Sequence, residues 1–208
     1  MNMENNQIAL EGQIVSDFRF SHETMKEKFY LFDLKTERLS GTSDVLPVLI
    51  SERLVNIKEN PIGATVRVEG QIRSYNKQDG EKSRMLLSIF VESIENTQEE
   101  ACENYGCIQG FLCKEPVYRK TPRGKEITDM ILAVNRQYGK TDYIPCIAWG
   151  RNAIFAAMQP IGTELKIYGR FQSRQYKKRL VEDGVEIRTA YEFSVHVIEE
   201  VVNDECED

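Results

Sequence analysis

Between Leu165 and Tyr176 the chain alternates with a period of two. Leu165, Ile167, Gly169 and Phe171 fall on one side of an extended strand, and Lys166, Tyr168, Arg170, Gln172, Arg174 and Tyr176 fall on the other. The first set predicts a face turned to a core; the second interleaves cations and aromatics. The same reading over the second half of the chain predicts strands at Tyr105–Lys114, Ile127–Arg136, Asp142–Trp149, Thr163–Tyr176 and Arg188–Val201. Gly110 predicts a bend or bulge in the first of these. Turn chemistry lies at Thr121-Pro122-Arg123-Gly124-Lys125 and at Asp183-Gly184. One stretch reads as helix, the short Ala-rich Asn152–Met158, which Pro160 and Gly162 end.

The first half of the chain follows the same order. Strands are predicted at Ile8–Phe20, Phe29–Glu37, Val45–Ser51, Thr65–Tyr75 and Arg84–Ile94. A short helix at Glu52–Lys58 precedes Pro61 and Gly63, and Asp79-Gly80 supplies the last turn. The correspondence extends to the residues themselves. NPIGATVRVEGQIRS at 60–74 matches QPIGTELKIYGRFQS at 159–173, with Pro, Ile, Gly, Gly and Ser identical at an offset of 99. Arg38, Gly41, Asp44 and Pro47 match Arg136, Gly139, Asp142 and Pro145 at an offset of 98, as Gly12 matches Gly110. Two copies of this size make a tandem of domains and not a solenoid. Five strands with a helix between the third and fourth is the order of an OB-fold. The expected fold is therefore all-β with short helices, as two tandem five-stranded Greek-key OB barrels. Their bounds are 1–97 and 104–201, with a polar linker at 98–103 and a short acidic tail at 202–208.

Composition narrows the class. The 208 residues are 41% hydrophobic and 29% charged, the balance of a folded soluble chain. No apolar run approaches the roughly 18 residues of a membrane span, and the start resembles no leader, so a cytoplasmic, nucleoid-associated protein without membrane contact is expected. The five cysteines (Cys102, Cys107, Cys113, Cys146, Cys206) are odd in number and never spaced C-x-x-C, which predicts reduced structural thiols and no metal or other cofactor. The net charge of −6 is unevenly placed: Gln7–Thr97 sums to −2, Asn104–Ile198 to +6. A basic module sits beside a mildly acidic one.

The polar face of the Thr163–Tyr176 strand is what sequence-tolerant binding of a single strand requires. Aromatic rings stack on bases for about 1–3 kcal/mol each, and cations between them follow the phosphates. Tyr143, Pro145, Ile147 and Trp149 likewise share a face of the preceding strand. Packing at barrel ends would account for any one of these aromatics, but less readily for the whole face. Residues 104–201 resemble the bacterial single-stranded DNA-binding proteins of the homotetrameric OB-fold type. The resemblance is carried by GFLCKEPVYRKTPRGKEIT, MILAVNRQYGKTDYIPCIAWGRNA and KIYGRFQSRQY followed by Asp183-Gly184. It implies base-stacking roles for Tyr138, Tyr143, Trp149 and Tyr176. With the alternation, it makes Tyr168, Arg119, Arg136, Arg170, Arg174, Lys177 and Lys178 the further nucleic-acid-binding candidates. It also implies four barrels per functional unit, met here by a homodimer, and a place in replication, recombination or repair.

The first copy departs from this pattern. Opposite the four stacking positions stand Ser40, Val45, Ser51 and Lys77, and Glu69 replaces Tyr168 on the outward face of Arg67, Gln71, Arg73 and Tyr75. A carboxylate there repels phosphate, so the first copy is expected to keep the fold and lose most of the binding surface. Phe18 and Phe20, flanking Arg19, are its remaining candidates for DNA contact. The family's tails commonly carry a small apolar tip that recruits repair and replication enzymes. Here the ending VNDECED is acidic without such a tip, and a solubilising role is expected.

Catalytic readings find little support. Gly139-Lys140-Thr141 mimics the end of a P-loop, but Val134 stands where its first glycine is needed. His22 and His196 fall in a hairpin and a strand, and no nucleophile triad or carboxylate pair stands out. Two alternatives remain beside non-enzymatic coating of single-stranded DNA. One is a protein-interaction scaffold in a replication-restart, plasmid or mobile-element complex; the other is an accessory subunit of a nucleic-acid enzyme. A pure scaffold has no use for Tyr143, Trp149 and Tyr176 among arginines, and two barrels leave no room for a catalytic domain. Stacking and phosphate contacts serve RNA as well as DNA.

Overall fold

A computed structural model describes residues 5–79, 82–97, 103–179 and 185–201. The first repeat supplies β1 (Asn6–Ile14), β2 (Arg19–Thr24), β3 (Glu27–Glu37), β4 (Ser43–Ser51), β5 (Thr65–Asp79) and β6 (Lys82–Asn96). The second supplies β7 (Asn104–Leu112), β8 (Val117–Lys120), β9 (Glu126–Asn135), β10 (Thr141–Trp149), α1 (Arg151–Ala157), β11 (Glu164–Arg179) and β12 (Val185–Glu200). The described residues are mostly β-strand with one short α-helix.

Pairing closes on itself in each repeat. β1 runs antiparallel to both β3 and β5, β3 to β4, and β5 to β6, while β4 meets β6 in parallel. In the second repeat β7 runs antiparallel to β9 and β11, and β9 to β10; β10 meets β12 in parallel, and β12 neighbours β11. Side chains pointing into each cycle are the apolar alternates. Leu10, Phe32, Leu34, Val48 and Ile72 are fully buried in the first, and Ile108, Leu132, Ile144, Leu165 and Ile167 in the second. Burying each such side chain contributes about 1.5–3 kcal/mol. Gly70 and Gly169, partners in the repeat, lie where a Cβ would strike the carbonyl oxygens of Phe90 and Ser194. The close backbone approach explains why both copies keep glycine there.

The compact units cut across the repeats. One unit contains Gly106–Arg170 with the chain up to Gln7 and from Phe193 onward. The other contains Ile8–Tyr105 and the outer arms of β11 and β12, Phe171–Glu192.

Two readings are corrected. Glu52–Lys58 is not helical but a run of turns and bends. Ser51 Oγ accepts from Arg53 N and Asn56 Oδ1 from Lys58 N, and β-branched Val55 and Ile57 add to the cost of helix. Ala153 and Ala156, both fully buried, favour α1 at the equivalent place in the second copy. The strand expected over Ile8–Phe20 breaks after Ile14 and resumes as β2, which turns into β3 through Met25 and Lys26, both at positive φ. The second copy has a matching extra strand, β8, paired with β9. The expected turn at Asp183-Gly184, most of the 98–103 linker and the 202–208 tail lie outside the described residues, as does Gly80.

Candidate nucleic-acid interface

β10 positions two aromatics of the first unit. Tyr143 and Trp149 are 48% and 39% exposed, separated by six residues of strand, or about 20 Å. Between them Pro145 is half-buried, but Ile147 is buried and belongs to the core. Trp149 immediately precedes Gly150, the positive-φ residue from which α1 starts. β9 holds the strand in register, with Tyr143 opposite Ala133 and Trp149 opposite Ile127.

On β11, Tyr168 is half-buried, and its ring centroid lies 5.6 Å from Lys166 Nζ. The Tyr168 hydroxyl, and the Cys107 thiol across the ladder, raise the Lys166 pKa. Burial pushes the Cys107 thiol up, against the reactive direction. Arg170 is part-exposed; with the covering of the imidazole, its charge pulls His196 below the ordinary histidine value. His196 O accepts from Asn152 Nδ2 at 2.8 Å, a structural contact. Arg119 on β8 pairs with Asp129 at 2.6 Å with both groups well exposed. Arg136 instead grips the fully buried Asp142 with both Nε and Nη2. Its N–H also donates to Lys140 O at 2.7 Å, closing the loop whose 3-10 turn, Gln137–Gly139, contains Tyr138.

Arg174, Tyr176 and Lys177 lie on the outer arm of β11, in the other unit. Arg174 is 47% exposed and donates to Glu192 at 3.3 Å; Tyr176 is 38% exposed, and Lys177 is exposed. Glu186 first, and Tyr176 after it, hold the Arg188 pKa above its ordinary value. Gln172, which the alternation puts on the same outward face, is buried and donates to the buried Glu192 at 3.0 Å. A buried carboxylate on β12 thus ties down two members of that face, a contact with no period-two signature in the sequence. The Lys178 side chain lies outside the described residues, and of Tyr138 only the backbone is described.

The first repeat spends its outward cations internally. Arg67 is held by Glu69 and by Glu103, the latter at 2.7 Å, and both raise its pKa. Arg73 lies over the Phe90 ring. Arg19 pairs with Asp33 at 2.9 Å, and Phe18 packs edge-on against Phe32. Phe20 packs edge-on against Tyr30 but stays 60% exposed. Where the second repeat has Trp149, Ser51 is buried and donates to Glu27.

Among the described residues no group of three His, Cys, Asp or Glu side chains could hold a metal ion, and no helix is long and apolar enough to cross a membrane. Cys107, Cys113 and Cys146 are free thiols.

Comparison with known proteins sets these features in context. The model of the single-strand binding protein family, a family of non-enzymatic proteins, matches residues 103–199. Single-stranded DNA-binding protein A of Bacillus subtilis is 34% identical over 77 residues, which are 34% of this chain and 45% of that protein. Single-stranded DNA-binding protein 2 of Listeria innocua is 35% identical over 75 residues, 33% of this chain and 47% of that one. The match thus spans less than half the length of either relative. The crystal structure of the wild-type single-stranded DNA binding protein from Thermus aquaticus shares the fold, with a TM-score of 0.75 over 98% of this chain and 96% of that one at 20% identity. The second repeat, residues 103–199, is thus similar to the single-strand binding protein family.

Proposed function

We propose that the chain binds and coats single-stranded DNA without regard to sequence, chiefly through its second repeat, and serves replication, recombination or repair. The observation that carries this reading is the pair Tyr143 and Trp149, exposed on β10 within the family-matching segment. Stacked bases rest on these two and on Tyr138, Tyr168 and Tyr176, while Arg119, Arg170, Arg174, Lys177 and Lys178 follow the phosphates. Arg136 contributes by holding the loop of Tyr138 through Asp142. The related proteins of Bacillus and Listeria, named for single-stranded DNA, support the choice of ligand.

Each repeat forms an OB barrel in this reading, supported by the two closed pairing cycles of the same order. Two chains pair as a homodimer to give four barrels, with the first repeat as an assembly and spacing module. Tethered weak and strong sites raise the effective concentration of the next site on a long strand. Fluorescence anisotropy with labelled oligo(dT), its duplex and a matched RNA tests the assignment. Tight binding to the single strand that survives excess duplex is expected; preference for the duplex, or no binding to any probe, refutes it. Sedimentation at micromolar concentration should give twice the 24.0 kDa chain mass, and a monomer would remove the four-barrel assembly.

A further inference from the structure

β11 runs past the end of its ladder with β7. That pairing ends at Gly169 opposite Gly106, yet the strand continues to Arg179. Alternate residues of a strand aim their N–H and C=O groups at the same edge, so residues 171 and 173 leave two pairs of backbone groups there. Side chains take the place of the missing strand. Asn104 Nδ2 donates to Phe171 O at 2.7 Å and its Oδ1 accepts from Phe171 N at 3.0 Å. Two residues further on, Asp44 Oδ1 accepts from both Ser173 N and Ser173 Oγ at 2.8 Å, and Arg38 Nη2 donates to Ser173 O at 3.2 Å. Arg38 and Asp44 are themselves locked together by bonds of 2.6 and 2.7 Å, and the Asp44 side chain is fully buried. The pair therefore presents one acceptor and one donor to the edge of β11, as a strand residue would.

The segment so held is the one that carries Arg174, Tyr176 and Lys177. We propose that Asp44, with Arg38, is a positioning residue for DNA binding: this pair from the non-stacking repeat splints the free edge of β11 and fixes the register of its outer arm. The proposal rests on the single-strand-binding reading above. It gives the first repeat a direct part in the affinity of the second without touching DNA. A strand with an open edge would fray from Ser173 outward, and the affinity of Arg174, Tyr176 and Lys177 would then carry the cost of ordering them.

The test compares the full chain with Asp44→Asn and Ser173→Ala, the latter removing only the hydroxyl bond. In the free protein, amide hydrogen exchange at residues 173–177 should speed up at least about tenfold in Asp44→Asn while the β3 and β9 amides keep their protection. Unchanged exchange overturns the splint, whatever DNA does; if Asp44→Asn does not fold, Ser173→Ala is read in the same way, with a smaller increase. On oligo(dT), Asp44→Asn should weaken binding at least about fivefold, the lower end for one stacked base. It should also flatten the salt dependence by about 0.7 for each phosphate that is no longer neutralised. Adding Arg174→Ala and Lys177→Ala to Asp44→Asn should cost less than the same pair costs in the wild type, because the two act through one segment. Additive losses overturn the proposal. Failure of the wild-type chain to bind oligo(dT) refutes the single-strand-binding reading instead, and leaves the exchange result to judge the splint alone.

Discussion

The Arg73 guanidinium carbon lies 3.6 Å from the centroid of the Phe90 ring, so the first repeat turns an outward-strand cation onto its own aromatic. Arg67, earlier on the same strand, is held by Glu69 and Glu103. A cation held by two carboxylates, or covered by a ring face, is a poorer phosphate ligand than Arg174. The 3.3 Å contact of Arg174 to Glu192 leaves its side chain 47% exposed. Arg67→Ala and Arg73→Ala should leave the slope of log affinity for oligo(dT) against log salt within about 0.3 of wild type. Arg170→Ala and Arg174→Ala should each lower it by about 0.7, the contribution of one phosphate on a single strand. Equal changes in the two sets would show that the repeats share the work.

The glycine pair yields a stability prediction. Replacing Gly169 by Ala drives a methyl group into the Ser194 carbonyl, and replacing Gly70 does the same at Phe90. Neither backbone can yield without disturbing its ladder. Each substitution should cost at least about 1–3 kcal/mol, and lower Tm by about 2–4 °C for each kcal/mol in a chain of this size. Thermal unfolding followed by circular dichroism would reveal it. A wild-type Tm in either variant would mean that the approach is not tight.

Acid should act through Asp44. Burial alone would raise its carboxyl, but hydrogen bonds from Arg38 and from the Ser173 backbone and hydroxyl outweigh burial and hold it below the ordinary aspartate value. A folded-state pKa below the unfolded one stabilises at pH above the unfolded value of about 3.9, and that stabilisation is lost as pH falls through it toward the folded value. Urea unfolding should therefore show wild type losing more stability than Asp44→Asn as pH falls from 5 to 3. Parallel pH curves would remove Asp44 from the acid response.

Much of this architecture is legible from the letters because the repeat supplies an internal check. Period-two alternation places Leu165, Ile167 and Phe171 in the core. Gly12, Gly70, Gly110 and Gly169 stand out as repeated positions, but that they sit at close backbone approaches, Gly110 included, needs the structure. β2 escapes such a reading because its hairpin turn, Met25-Lys26, takes positive φ without a glycine or asparagine to signal it. The helix expected at Glu52–Lys58 fails because Ser51 and Asn56 bond locally to the backbone, a competition that apolar patterning does not register. Long-range polar contacts are hidden for a different reason. Nothing in the strand pattern says that Glu192 will bury itself against Gln172 and Arg174, or that Asp44 will serve Ser173, 129 residues away. The recurrence of Arg38 and Asp44 as Arg136 and Asp142 is visible as a repeat, but its meaning as a buried ion pair needs three dimensions.

The claim that the second repeat stacks bases is tested most directly by the fluorescence of Trp149, the one tryptophan in the chain, titrated with oligo(dT). Stacking should quench the emission saturably, and Tyr143→Ala or Tyr176→Ala should shift the midpoint by about 1–3 kcal/mol in free energy. Duplex of the same length should leave the signal unchanged. If oligo(dT) binds, by an independent anisotropy signal, without altering Trp149 emission and without loss in either tyrosine variant, the bases are held elsewhere and the account is contradicted.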